Sequence, residues 1–164
     1  MVVIGSIVHA LDCISSKCIN YQHKGALVIG KDGFIEKVLT AAQFEQTKQQ
    51  EKWKEYEHIV LKPSQMVMPG FIDTHAHAPQ YFNCGLGLDL TLLDWLNTYT
   101  FPVESKFSDL QIADRVYKSC VRRSLLNGTT SVYFGTIHKE ASVRLSELLE
   151  KIGQRACKLV VKVD

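Results

Sequence analysis

The residues with the clearest chemical potential in this sequence are His75 and His77, which end an apolar run and are separated by one residue. On an extended strand side chains alternate between faces, so both imidazoles project from one side, about 7 Å apart along the backbone. At that spacing both rings can turn toward one ion, and imidazole nitrogen is a common zinc ligand. Val67, Phe71 and Ile72 ahead of the pair favour a buried strand. The pattern predicts a metal site at the carboxyl end of that strand.

The H-x-H spacing is not specific by itself, because six histidines placed at random in 164 residues would produce it with a probability of roughly 0.2. Two ordinary strand histidines are the plain alternative. A metallo-β-lactamase pattern would need an acidic residue at position 79 and a histidine at position 80, where Pro79 and Gln80 stand. The cytidine-deaminase pattern needs H-x-E and P-C-x-x-C, and neither occurs in the sequence.

The first sixty residues predict a small β-sheet lobe made of short strands. The predicted strands span residues 2–10, 26–29, 34–39 and 58–61. Lys31-Asp32-Gly33 predicts a hairpin turn, because Asp-Gly accepts the positive φ that a tight turn needs. The charge-balanced stretch 43–57 predicts a solvated helix or connecting loop.

After Pro63 the pattern changes to alternating strands and helices. It predicts a metal-binding strand over 65–74 and a loop over 78–107 with a short helix near 92–98. A capping box at Ser108 and Gln111 predicts the start of a helix that Gly128 stops. A strand over 130–134, a helix over 142–152 and a strand over 156–163 follow, and this alternation predicts a parallel α/β architecture.

Several segments carry a family resemblance. Pro-Gly-Phe-Ile-Asp-Thr-His-Ala-His at 69–77 resembles the first-strand signature of the amidohydrolase superfamily, and Ala-Pro-Gln-Tyr at 78–81 resembles its guanine deaminases. Further matching segments follow in the family's order at 93–102, 127–130, 133–138 and 153–156.

The resemblance implies an α/β fold that begins a TIM-like (β/α)8 barrel of the amidohydrolase type, preceded by a small N-terminal β-sheet lobe. Residues 1–64 would form this lobe, as part of a composite β-sandwich. Residues 65–164 would form the first strands and helices of the metal-dependent hydrolase barrel. Three parallel strands cannot close a barrel of eight, so we expect the fold to be incomplete in this chain and the chain to be an N-terminal fragment.

The resemblance also implies zinc-dependent hydrolytic deamination of guanine to xanthine and ammonia in the full-length protein. His75 and His77 would hold one Zn²⁺ per subunit, and His77, Ala78, Pro79 and Gln80 would form the substrate loop. The other metal ligands and the glutamate that moves protons would lie beyond Asp164. The fragment would then contain no catalytic residue besides its metal ligands.

Alternatives remain open from the sequence. The protein can be a related amidohydrolase that acts on another heterocycle, or an inactive truncated product. His138 follows a predicted strand, which allows a third ligand but favours a loop role. Asp73 would share the face of the histidine pair and could orient an imidazole. For Cys84, a structural thiol is favoured over a role near the site.

The overall composition narrows the partners. A formal net charge of +2 with dispersed basic residues gives no reason to expect nucleic acid. There is no secretory leader pattern and no apolar run of about 18 residues, so no membrane association is expected. Five cysteines without a C-x-x-C pair predict free thiols and a cytoplasmic location. The resemblance implies guanine as the small-molecule substrate and a homodimer when full-length.

Overall fold

The structure of this protein is a computed structural model that describes residues 1–10, 19–49, 51–134, 136 and 138–159. It divides into two compact units, Met1–Pro69 and Gly70–Asp164. Of the helices in the described part of the chain, none has the length and apolar character needed to cross a membrane.

The first unit is built on a five-stranded sheet with the order β3-β2-β1-β4, in which β5 also pairs with β1. Its strands are β1 (Val2–Ala10), β2 (Ile19–Ile29), β3 (Ile35–Leu39), β4 (His58–Val60) and β5 (Met66–Val67). β2 lies antiparallel between β1 and β3, whereas β4 and β5 run parallel to β1. The predicted strand over residues 2–10 is confirmed, and β2 is longer than the sequence predicted.

The turn between β2 and β3 is the one that the sequence predicted. Gly33 has a φ of 82°, a conformation that favours glycine because it has no Cβ. The Asp32 carboxylate accepts the Phe34 backbone N–H at 3.1 Å. Gly30 donates its backbone N–H to the Phe34 carbonyl at 2.8 Å, which closes the loop.

Two short helices, α1 (Ala41–Thr47) and α2 (Glu51–Lys54), cover one face of this sheet. Thr40 and Gln43 form a capping box at the start of α1. The prediction of a purely solvated stretch over 43–57 is wrong, because Phe44, Trp53 and Tyr56 are buried against β-strand residues that include Val2 and Val28. Their wide spacing in a charged stretch hides this apolar face from a reading of charge alone.

The second unit contains three parallel strands in the order β6-β7-β8. They are β6 (Phe71–His77), β7 (Thr129–Phe134) and β8 (Ala156–Leu159). The long helix α5 (Leu110–Leu126) connects β6 to β7, and α6 (Lys139–Ile152) connects β7 to β8. The predicted parallel α/β arrangement is therefore present, although residues 160–163 of the last predicted strand lie outside the described residues.

The single strand predicted over residues 65–74 is wrong, because the structure divides it between the two sheets. Met66–Val67 pair with β1, and β6 begins only at Phe71. Pro69 lacks the N–H that a ladder needs. A Cβ at Gly70 would lie 3.0 Å from the Gly128 carbonyl oxygen, so the chain passes close to the next strand where only glycine fits well.

The expectation of a buried metal strand is also wrong at its amino end. The side chains of Phe71 and Ile72 are 61% and 76% exposed. β6 is an edge strand of the three-stranded sheet, paired on one side with β7. Its apolar composition therefore reflects a surface that this chain leaves open, rather than one that it packs.

The predicted loop over 78–107 is mostly helical in the structure. A 3₁₀ helix (Ala78–Asn83) follows β6 directly. A continuous helical stretch then includes α3 (Leu92–Trp95), a π-helical turn (Leu96–Thr100), α4 (Phe101–Glu104) and a 3₁₀ turn (Ser105–Ser108). Pro102 is tolerated there because it lies in the first turn of α4.

The core of the second unit lies between α5 and α6. Tyr117 and Val121 of α5 pack with Leu145 and Leu149 of α6, and the rings of Phe107 and Tyr117 lie 5.3 Å apart between centroids. The capping box predicted at Ser108 is wrong. The N-cap of α5 is Asp109, whose carboxylate accepts the Gln111 backbone N–H at 2.8 Å. The predicted stop of α6 at Gly153 is confirmed, with φ 76°.

Candidate metal centre

The two histidines that end β6 converge on one point. Their Nε2 atoms are 2.9 Å apart, and the ring centroids are separated by 4.9 Å with an interplanar angle of 44°. The sequence spacing therefore has the geometric consequence that alternation on a strand predicted. Both nitrogens lie at the carboxyl end of a parallel strand, the edge of such sheets where ligands bind.

A β-bulge lies just before the pair. Between the paired positions Asp73 with Ser131 and Ala76 with Tyr133, β6 has one more residue than β7. Bulges re-aim side chains and are frequent beside active sites. The Asp73 carboxylate accepts the backbone N–H of His75 at 3.0 Å, so it supports the bulge itself. Strict alternation does not hold across a bulge, and a role for Asp73 in orienting an imidazole stays a prediction.

The distance between the histidine nitrogens suits two ligands of one metal ion. Nitrogen ligands at about 2.0–2.1 Å from a tetrahedral zinc lie about 3.3–3.4 Å from each other, so a small ring rotation would bring His75 and His77 into place. Burial, and secondarily the charge of His75, lower the pKa of His77. A lowered pKa keeps this imidazole neutral, the form that binds metal.

The third ligand proposed from His138 is not supported by the arrangement of the described residues. Among them, no three His, Cys, Asp or Glu side chains form a group that could hold a metal ion. His138 is instead the N-cap residue of α6, and its Nε2 atom is buried without a hydrogen-bond partner. This position agrees with the loop role that the sequence favoured.

The segment after His77 forms a 3₁₀ helix in which Ala78 and Pro79 are buried and Gln80 is half-buried. The Gln80 side chain donates a hydrogen bond to the Glu104 carboxylate of α4. Burial raises the pKa of Glu104, while Gln80 and His138 oppose that rise. The sequence reasoning missed Glu104, because no motif marks it and only the fold brings α4 beside the 3₁₀ helix.

Cys84 lies after this 3₁₀ helix and is exposed, with a free thiol. Its neighbour in the electrostatic sense is the buried Cys120 of α5. Burial raises the pKa of Cys120 to about 11, with smaller contributions from Cys84 and Asp73. Cys120 is therefore a protonated packing residue rather than a nucleophile.

Comparison with known proteins places the second unit in a family. The Amidohydrolase family model matches residues 66–162, which include β6, α5, β7, α6 and β8. The chain belongs to the amidohydrolase family.

The chain is similar to named members of this family. It is 44% identical over 158 residues to a probable guanine deaminase of Schizosaccharomyces pombe and 43% identical over 163 residues to the guanine deaminase of Dictyostelium discoideum. These matches cover 90% and 93% of this chain but only 30% and 35% of the relatives. The chain thus spans about a third of the length of these relatives.

A solved structure agrees with these relatives. The guanine deaminase of C. acetobutylicum, described with guanine bound in its active site, superposes with a TM-score of 0.80 at 32% identity. That match covers 96% of this chain and 35% of the C. acetobutylicum chain.

Proposed function

We propose that this chain supplies the first metal-binding strand and the adjoining substrate loop of a zinc-dependent guanine deaminase. The observation that carries the proposal is the convergence of His75 and His77 at 2.9 Å between Nε2 atoms, directly before a 3₁₀ helix that carries Gln80. The reaction is hydrolysis of guanine to xanthine and ammonia. The similarity to two guanine deaminases over most of this chain supports guanine as the substrate.

The proposed fold is the start of a (β/α)8 barrel, with β6, β7 and β8 as its first strands. Their parallel order and the crossover helices α5 and α6 support this arrangement. Residues 1–64 form an N-terminal β lobe that is part of a composite β-sandwich, and residues 65–164 belong to the barrel. The division into compact units after Pro69 lies close to this proposed border.

Each residue of the site has a proposed role. His75 and His77 hold one Zn²⁺ per subunit, and when bound this ion lowers the pKa of a water molecule toward neutrality so that it can attack the purine. Ala78 and Pro79 are buried and hold the 3₁₀ helix against the unit. The Gln80 amide contacts the base, because an amide has both donors and an acceptor to offer a purine edge.

The proposed setting follows the same family. The protein acts as a homodimer in the cytoplasm and needs neither nucleic acid nor a membrane. Cys84, Cys120 and Cys157 are free thiols, which suits a reducing compartment. Two alternatives compete with guanine deamination, namely another heterocycle as substrate and an inactive product.

A chimeric enzyme tests the proposal. Residues 1–164 of this chain replace the matching part of the D. discoideum guanine deaminase, and ammonia release is measured with guanine, adenine and cytosine. We expect guanine to be the preferred substrate, and a chimera with His75→Ala and His77→Ala to be inactive. A folded chimera that prefers another heterocycle, or that is inactive while the parent enzyme works, would refute the proposal.

A further inference from the structure

Side chains from four elements meet beside the histidine pair. Gln80 comes from the 3₁₀ helix after β6, Glu104 from α4, Tyr117 from α5 and His138 from the N-cap of α6. Glu104 interacts electrostatically with both Tyr117 and His138 and accepts a hydrogen bond from Gln80. The cluster therefore centres on the Glu104 carboxylate.

This cluster is built into the core rather than lying on the surface. Tyr117 is fully buried and belongs to the main apolar cluster of the second unit, and Phe107, which follows α4 closely, is fully buried as well. Tyr117 Oη and His138 Nε2 are buried without hydrogen-bond partners. The carboxylate is held among groups that cannot move away easily, so its position is determined by the packing of α5.

The charge of Glu104 determines which way the Gln80 amide faces. An ionised carboxylate has only acceptors, so the Gln80 NH₂ group must point toward Glu104. The Gln80 carbonyl oxygen then points away from Glu104 and remains available to accept a hydrogen bond. Without a charged partner the two ends of an amide are nearly interchangeable in shape, and either orientation can be adopted.

We propose that Glu104 is a positioning residue that holds the Gln80 amide with its carbonyl oxygen directed toward the substrate, where it accepts a hydrogen bond from an N–H group of the purine. This inference rests on the proposed function for the identity of the ligand, but the interaction between Glu104 and Gln80 does not. Glu104 acts through Gln80 and does not itself contact the base.

A double-mutant cycle in the chimeric enzyme tests this arrangement. Glu104→Gln should raise KM for guanine by about tenfold with little change in kcat, since the lost orientation weakens binding equally in the ground and transition states. In a Gln80→Ala background the same change should alter KM by less than about twofold, because residues that act as one unit are not additive. Glu140→Gln, at an exposed glutamate in the first turn of α6, is the matched control.

Additive effects of Glu104→Gln and Gln80→Ala would overturn the proposal, because a structural role alone would lower activity in both backgrounds. An unchanged KM in Glu104→Gln would overturn it too.

A second measurement does not depend on activity. In the ¹⁵N-labelled chain of 164 residues, the Gln80 side-chain NH₂ signals should differ from solvent-exposed glutamine and move to the exposed position in Glu104→Gln. Signals at the exposed position in the unsubstituted chain would overturn the positioning role. If the chimera is inactive but these signals behave as expected, the proposed function fails and the positioning of Gln80 stands.

Discussion

The histidine pair combines two opposing requirements in one place. The rings must be close enough to share an ion, and at 2.9 Å between their Nε2 atoms two protonated rings would repel each other. The lowered pKa of His77 is the physical result, since burial and a cationic neighbour both disfavour its charged form. The same closeness that makes the pair a poor place for protons makes it a good place for a metal.

The metal assignment predicts the loss of zinc without loss of the fold. In the chimeric enzyme, replacing both His75 and His77 with alanine should abolish stoichiometric zinc while the circular dichroism spectrum is retained. Both side chains lie at the end of an edge strand, outside the buried cluster of the second unit. Metal analysis after gel filtration gives the zinc content per chain.

His138→Ala is the control for this experiment, because His138 lies apart from any group of potential metal ligands among the described residues. It should retain one zinc per chain. Full zinc content in the double alanine variant would show that the pair is not a metal site.

Gln80 provides a second test at a single side chain. In the chimera, Gln80→Ala should lower kcat/KM for guanine by about 1–3 kcal/mol in transition-state stabilisation, the scale of leaving a polar partner unpaired. Gln111→Ala, at an exposed position in the first turn of α5, should leave kcat/KM unchanged. Equal kcat/KM values for Gln80→Ala and the parent chimera would exclude recognition of the base by Gln80.

Glu104 should reduce the stability of the fold at neutral pH. Its pKa is raised above the ordinary value of 4.5 mainly by burial, so the folded chain binds the proton more tightly than the unfolded chain. The free energy of unfolding therefore falls as the pH rises from about 4.5 through the raised pKa. Glu104→Gln should remove this fall, so the variant should gain stability relative to the parent as the pH increases.

Urea unfolding of the parent, Glu104→Gln and Glu140→Gln at pH values from 4 to 8 measures this effect. The stability difference between Glu104→Gln and the parent should grow with pH and then level off. A difference that is constant with pH, or that reverses in sign, would contradict the burial of the charged carboxylate.

Among the elements, α5 carries the most information about how the site is held. Its buried face, which includes Tyr117 and Val121, packs on α6 and on the 3₁₀ helix residue Ala78. Its surface is joined to α6 by Arg144, which donates to both oxygens of Asp114 at 3.1 and 2.7 Å. Because α5 contacts both the substrate loop and α6, an error at its start would be transmitted to Gln80 and Glu104.

The start of α5 gives a prediction that separates two neighbouring residues. Asp109→Ala should lower the free energy of unfolding by about 1 kcal/mol, since the carboxylate caps an otherwise unpaired backbone N–H. Ser108→Ala should have little effect, because the Ser108 hydroxyl donates to the Ser105 carbonyl in the preceding turn. Thermal or urea unfolding compares the variants, and a larger loss for Ser108→Ala would contradict the observed cap.

For the molecule as a whole, the exposed apolar edge strand is the main liability. Phe71 and Ile72 of β6 are largely exposed, and β6 pairs on one side with β7. Unpaired strand edges with apolar side chains promote association. The metal pair lies on this same strand.

The isolated chain should therefore associate in solution and lack deaminase activity. Two imidazoles leave a catalytic zinc with fewer than the usual three protein ligands, so zinc binding should be weak. Size-exclusion chromatography should show oligomers, and Ile72→Thr should increase the monomer fraction. A monodisperse chain that converts guanine to xanthine would show that the ligand set or the fold has been misjudged.

The agreement between sequence and structure follows the range of the interactions involved. The strand Val2–Ala10, the turn at Gly33 and the end of α6 at Gly153 were predicted, because alternation and glycine conformation act over a few residues. The helical stretch between Thr91 and Ser108 was largely missed. Its short segments are marked by no long amphipathic period, and they become helices by packing on the unit around them.

By itself, the sequence determined the parallel α/β order, the family resemblance and the convergence of His75 and His77, since a two-residue spacing on a strand needs only local geometry. Tertiary structure alone decided that residues 65–74 divide between two sheets, that Asp109 caps α5, and that Glu104 meets Gln80. Glu104 and Gln80 are far apart along the chain, and no local pattern encodes a contact that arises only when α4 packs beside the 3₁₀ helix.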